Sequence, residues 1–166
     1  MIMRDQDVEL LSAFLKEFQE ETDRGAALVG AAMIDQKLVD TLRSFMVKGK
    51  ITADLIEGGT APLGTFSARI KACYALGLID EHERSECDLI RKVRNEFAHS
   101  IHGLTFSDEK IGAFCDRLQS NLPGGREAFK SNPRGVFINA VVLIMLRLFY
   151  RSEWVISERR AIKKWP

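Results

Sequence analysis

The sequence is poor in cysteine, and its cysteines form no recognisable pattern. Only three are present among 166 residues, at Cys73, Cys87 and Cys115. Their odd number and their spacing match no zinc-binding arrangement. We therefore expect three small core residues in a reducing compartment. A set of Asp, Glu and His with the spacing of metal ligands is also missing from the sequence, so no metal and no other cofactor is predicted.

An excess of charge of one sign is missing as well. The formal net charge is +1, although 28% of the residues are charged. A chain with so small a net charge lacks the overall field that draws proteins to nucleic acid or to membranes. This argues against a DNA-binding protein with a broad basic face. With 46% hydrophobic residues, the chain can still bury a core of the size expected for one domain.

No targeting or membrane-spanning segment is expected from the sequence. The amino-terminal residues lack a basic start followed by an apolar run, which a secretory signal would need. The most apolar stretch, 136–150, is shorter than the roughly 20 residues that cross a bilayer. Asn139 and Arg147 also interrupt it. The sequence therefore predicts a buried helix there and no membrane partner.

Alternating strand-like patterns are missing too, and apolar residues recur at helical spacing instead. The fold class predicted from this periodicity is all-α, a single-domain bundle of five to six helices over residues 1–166. The predicted helices cover 5–22, 26–46, 64–76, 80–99, 107–118 and a carboxy-terminal stretch from 136 to about 160. Two loops are predicted between them, at 47–64, with one helical turn near its middle, and at 121–135.

Two helix faces are candidates for a homodimer interface. Residues 26–33 are mostly small, which lets another helix approach closely, and the 136–150 helix is apolar nearly throughout. Two-fold association through either face would bring two copies of one surface together. We therefore expect a homodimer.

The segment 61–111 resembles the bacterial mannitol operon repressor family. The resemblance rests on PLG, then a helix with Ser67, Arg69 and Lys71, then YALGLI, an acidic helix start, an Arg-x-x-x-x-His pair and FSDEKI. These motifs mark a family-like core at about 57–118. The resemblance implies an all-α, bacterial, cytoplasmic repressor that regulates genes for sugar-alcohol uptake.

A DNA-reading element is not evident within this resemblance. The best helix-turn-helix candidate spans 66–95, with its turn at Gly77. Its second helix begins with acidic residues, which would repel phosphate. Those residues are Asp80, Glu81, Glu83 and Glu86. Direct DNA binding is therefore doubtful, and we expect regulation through a protein partner or a small ligand.

The motif RNEFAH, 94–99, supports an alternative function. It resembles the Arg-x(4–6)-His signature of HEPN domains, many of which are metal-independent ribonucleases that act as dimers. On a helix, Ile90, Val93 and Phe97 form the predicted core stripe. Arg94 flanks this stripe, and Asn95 and His99 project away from it. Histidine can exchange a proton near neutral pH, and arginine can stabilise the charge of a scissile phosphate. Asn95 would orient the imidazole or hold a phosphate oxygen.

The plainer interpretation of RNEFAH is structural, since a histidine in the last turn of a helix interacts favourably with the helix dipole. Four further residues are candidates for binding: Arg69, Lys71, Arg91 and His102. Arg69 and Lys71 follow a glycine-rich loop whose helix start can hold an anion. Arg91 lies one turn before the motif and His102 just after it. RNA is thus a possible partner under the ribonuclease alternative.

Overall fold

The computed structural model describes residues 4–101 and 103–166, which form eight α-helices and, within those ranges, no strand. The all-α fold class is thereby confirmed. The helices are α1 (Asp5–Glu20), α2 (Asp23–Phe45), α3 (Lys50–Ile56), α4 (Phe66–Ala75), α5 (Glu81–His99), α6 (Glu109–Asp116), α7 (Pro133–Leu148) and α8 (Arg151–Val155). Short 3₁₀ turns lie at Arg126–Phe129 and Ile156–Glu158.

The helix number exceeds the predicted five to six for two reasons. The predicted loop 47–64 contains α3, which buries Ile56 in the core. The predicted helix 136–160 instead starts at Pro133 and is interrupted at 149–150, where Tyr150 leaves the helical conformation and begins α8. No glycine or proline marks that interruption, so the sequence carried no signal for it.

Helices α2 and α5 form the centre of the bundle. Helix α2 packs against α4, α5, α7 and α8, and α5 packs against α2, α4, α6 and α7. The apolar stripe predicted on α5 is confirmed, because Ile90, Val93 and Phe97 are fully buried. Seven of the nineteen residues of α5 are buried, and the other twelve are partly or fully exposed, so one face of this central helix still reaches solvent.

The small-residue face of α2, one of the two faces predicted to form a dimer interface, packs inside the chain itself. Ala26, Ala27 and Gly30 of α2 are buried, and a Cβ atom on Gly30 would lie 3.0–3.1 Å from Phe18 and Val141. The small residues of α2 therefore admit α1 and α7 of the same chain. The 26–33 face is therefore occupied within the chain. The interface through 136–150, where Val142, Leu143 and Leu146 remain partly exposed, and the homodimer itself stay predictions.

The apolar carboxy-terminal segment is a core helix, as predicted. The stretch Pro133–Glu158 is long and apolar enough to cross a membrane by composition, but half of its most apolar window is buried inside the protein. Helix α7 packs against α2, α5 and α6. Its apolar side chains thus have partners within the fold.

Candidate functional site

A cleft of about 510 Å³ opens between α2, the start of α4 and α5. Helix α2 forms one wall of the cleft, and the turn into α4 forms a second wall. The side chain of Arg94, from α5, lines the third side. The lining residues are Leu28, Ala31, Ala32, Asp35, Gly64, Thr65, Phe66 and Arg94. We refer to this cavity as the Arg94 cleft.

The turn into α4 is tightly closed, which fixes the second wall of the Arg94 cleft. The amide of Leu63 donates to the carbonyl of Leu55 over 2.8 Å, and that of Gly64 donates to Ala61 over 2.8 Å. A Cβ atom on Gly64 would lie 2.3 Å from the carbonyl oxygen of Gly58, so only glycine is accommodated there. Thr65 then caps α4 by accepting a hydrogen bond from the Ala68 amide.

Arg69, a predicted binding residue, holds this turn against α2. Its guanidinium donates to the carbonyls of Leu63 and Ile56 over 2.8 and 3.1 Å, and to Asp35 Oδ2 over 2.6 Å. Its side chain is only 14% exposed. Arg69 therefore supports the wall of the cleft through these contacts, and its side chain is not among the lining residues. The other basic candidate on this helix, Lys71, is exposed and lies outside the cleft lining.

Asp35 has one satisfied and one unsatisfied carboxylate oxygen. Oδ2 accepts from Arg69, whereas Oδ1 is buried and has no hydrogen-bond partner in the described part of the chain. Buried polar atoms are nearly always paired, so an unpaired carboxylate oxygen in the wall of a cleft is unusual. No local sequence signal could identify Asp35, because its partner lies 34 positions further along the chain.

Arg94 is exposed and lies at the mouth of the cleft. Its Nη1 atom donates to Asn95 Oδ1 over 3.0 Å. Over residues 4–101 and 103–166, its guanidinium forms no ion pair. Asn95 is half-buried and His99 is exposed, and neither of them lines the Arg94 cleft. The structure thus puts all three motif residues outside the core, but it brings only Arg94 to the cavity.

Two basic residues on α5 and α6, among them the predicted binding residue Arg91, are paired with acids. Arg91 pairs with Asp88 at 3.3 Å, and Lys110 pairs with Glu96 at 2.7 Å. Because these charges are compensated, Arg91 and Lys110 contribute little net positive charge to the surface. The candidate His102 lies outside the described residues.

The acids at the start of α5 are arranged differently from the prediction. Glu83 and Glu86 do not face solvent but are buried. Glu83 pairs with Arg147 and Arg151 at 3.1 and 2.7 Å. Glu86 accepts from the Ser120 hydroxyl over 2.5 Å. The start of α5 is therefore tied to neighbouring elements, and two of the four acids expected to repel phosphate are directed into the protein.

The cysteines are buried and free, as predicted. Burial raises the pKa of the Cys73 and Cys115 thiols to about 12, so neither is a thiolate at neutral pH. Among the residues whose positions are described, no group of three or more His, Cys, Asp or Glu side chains is arranged to hold a metal ion.

Comparison with known proteins gives consistent matches. A family model described as "Mannitol repressor" matches residues 32–132. This range extends beyond the predicted family-like core of 57–118 on both sides. The mannitol operon repressors of Escherichia coli strains K12 and O6:H1 are each 32% identical over 62 residues, which is 37% of this chain and 32% of each relative. The alignment thus spans about a third of the length of these curated relatives.

A solved structure shows the same fold. A chain of the X-ray structure of the MtlR-HPr complex from Escherichia coli superposes with a TM-score of 0.55 at 19% identity. The superposition covers 89% of this chain and 96% of that chain. At this identity the likeness establishes the shared helical architecture.

Proposed function

The chain belongs to the mannitol repressor family, and we propose that it is a cytoplasmic regulator of bacterial genes for mannitol uptake. The observation that carries this proposal is the family match over 32–132, which takes in Asp35, the turn into α4 and Arg94. The cleft and the central helix α5 therefore lie largely within the part of the chain that defines the family.

The regulator acts through a protein partner and not by reading DNA directly. Helix α5, the best candidate for a recognition helix, buries seven residues and packs against four other helices. The solved structure with the same fold is a complex of MtlR with HPr. HPr is therefore the partner to test first for this chain.

A genetic experiment tests the regulatory role. Deleting the gene in its host should raise transcription of the mannitol-uptake genes in cells grown without mannitol, and a plasmid copy should restore repression. Transcript levels that do not change on deletion would contradict the proposal. Co-elution of the purified chain with HPr in size-exclusion chromatography tests the partner separately, and elution at two independent volumes would argue against it.

A further inference from the structure

We propose that the Arg94 cleft binds a small polyhydroxy compound that carries one anionic group, with a sugar-alcohol phosphate as the representative. This inference deepens the proposed function, on which it rests for the choice of a sugar alcohol as representative and for the expectation that ligand binding is regulatory. Three features of the cleft support it: an uncompensated positive charge, an unpaired hydrogen-bond acceptor and a small apolar wall.

The charge of the cleft favours a ligand with one anionic group. Asp35 and Arg69 neutralise each other through their ion pair. Arg94 forms no such pair within 4–101 and 103–166, so the cleft retains one positive charge. A guanidinium presents several donors in a planar fork that matches a phosphate, and the contact with Asn95 occupies only Nη1. The start of α4, on the adjacent wall, adds the partial positive charge of a helix amino terminus.

The unpaired oxygen of Asp35 can accept a hydrogen bond from a hydroxyl group of the ligand. Oδ1 is buried without a hydrogen-bond partner in the described structure. Because Arg69 already balances the carboxylate charge, a neutral hydroxyl suits this oxygen better than an ammonium group, which would place a second cation beside Arg69. The Thr65 hydroxyl accepts from the Ala68 amide, so its own proton is available to a ligand oxygen.

The size of the cleft limits the ligand to a small molecule. Its volume of about 510 Å³ lies within the range of about 300–1,000 Å³ typical of small-molecule sites. The side chains of Ala31 and Ala32 are short and leave room beside α2, and Leu28 on α2 and Phe66 at the start of α4 add apolar surface to the lining. Such a wall packs well against the carbon chain of a sugar alcohol.

Isothermal titration calorimetry of the full chain with mannitol phosphate tests this proposal without any protein partner. Arg94→Gln removes the charge that holds the anionic group, and Ala32→Leu fills the cavity without a change of charge. Lys92→Gln is the matched control, because it removes one positive charge from α5 outside the cleft lining. Unphosphorylated mannitol, inorganic phosphate and a free amino acid serve as comparison ligands.

The proposal expects saturable binding of mannitol phosphate by the wild type and by Lys92→Gln. Affinity should fall at least about tenfold in Arg94→Gln, as for loss of one charge-assisted hydrogen bond, and by a similar factor in Ala32→Leu. Inorganic phosphate and unphosphorylated mannitol should each bind at least about tenfold more weakly. The proposal would be overturned if Arg94→Gln bound mannitol phosphate with unchanged affinity, or if the wild type bound inorganic phosphate equally well. It would also be overturned if the amino acid bound more tightly, or if mannitol phosphate gave no heat. Because HPr is absent from the titration, none of these results bears on the proposed partner.

Discussion

Arg69 donates a hydrogen bond of 2.6 Å to Oδ2 of Asp35, and the same carboxylate leaves Oδ1 buried without a partner. This ion pair joins α4 to α2 across the base of the Arg94 cleft. It also fixes the turn before α4, because the other donors of Arg69 bind the carbonyls of Ile56 and Leu63. Arg69 and Asp35 therefore connect the α2 wall of the cleft to the turn that forms the second wall.

Removal of Arg69 should destabilise the fold. Arg69→Ala would leave the largely buried carboxylate of Asp35 without its counter-charge and two carbonyls without a donor. We expect a loss of about 2–4 kcal/mol in the free energy of unfolding, below the value for a fully buried pair because both side chains are partly exposed. Urea denaturation of the wild type and of Arg69→Ala measures this difference in the free energy of unfolding. Lys71→Ala, an exposed change on the same helix, should alter stability by less than about 0.5 kcal/mol, and equal effects of the two changes would refute this role.

Two helical glycines should respond in opposite directions to alanine. Gly30→Ala places a Cβ atom 3.0–3.1 Å from Phe18 and Val141, so overpacking should cost about 1–3 kcal/mol despite the better helix propensity. Gly112→Ala meets no atom within 4 Å and should gain up to about 1 kcal/mol. Thermal unfolding of both variants gives the comparison. A stabilised Gly30→Ala protein would mean that α1, α2 and α7 pack less closely than described.

Stability should fall in acid partly because of Glu81. Hydrogen bonds from Arg84 and Tyr74 lower the pKa of Glu81 from its ordinary 4.5 to about 2. Because the folded-state pKa is the lower one, the stabilisation is present above pH 4.5 and is lost as the pH falls towards 2. Urea unfolding at several pH values should give the wild type a higher free energy of unfolding than Glu81→Gln at pH 6. This difference should become smaller below pH 4.5. A difference that stays constant with pH would exclude this linkage.

The ribonuclease alternative makes a separate prediction for the RNEFAH motif. If the protein is a regulator without nuclease activity, neither the wild type nor His99→Ala will cleave a mixed RNA pool in EDTA. His99 is exposed, so its substitution should also leave the melting temperature nearly unchanged. Cleavage by the wild type alone would instead identify Arg94, Asn95 and His99 as a metal-independent active site.

The parts of the fold that depend on local pattern were predictable from the sequence. Helical periodicity on α5 identified Ile90, Val93 and Phe97 as core residues. The predicted start at residue 80 agrees with the structure, in which Asp80 caps the helix and forms a capping box with Glu83. The turn at Gly77 was also predicted, and its φ of +70° explains the glycine.

The parts that depend on distant partners were not predictable. Acidic residues such as Glu83 usually face solvent. Its burial depends on ion pairs with Arg147 and Arg151, which lie more than 60 positions further along the chain. Arg94 was identified from its motif, but the opposite wall of its cleft comes from α2. Asp35 was missed because a lone aspartate within a helix carries no signal of an ion pair with another helix.

Direct titration of the purified chain with HPr from the same bacterium tests the central claim, that this regulator acts through a protein partner. Calorimetry should give saturable heat with HPr, and a fragment of the mannitol-operon promoter should give none under the same conditions. Heat with the promoter fragment and none with HPr would contradict the account and would require a DNA-reading surface other than α5.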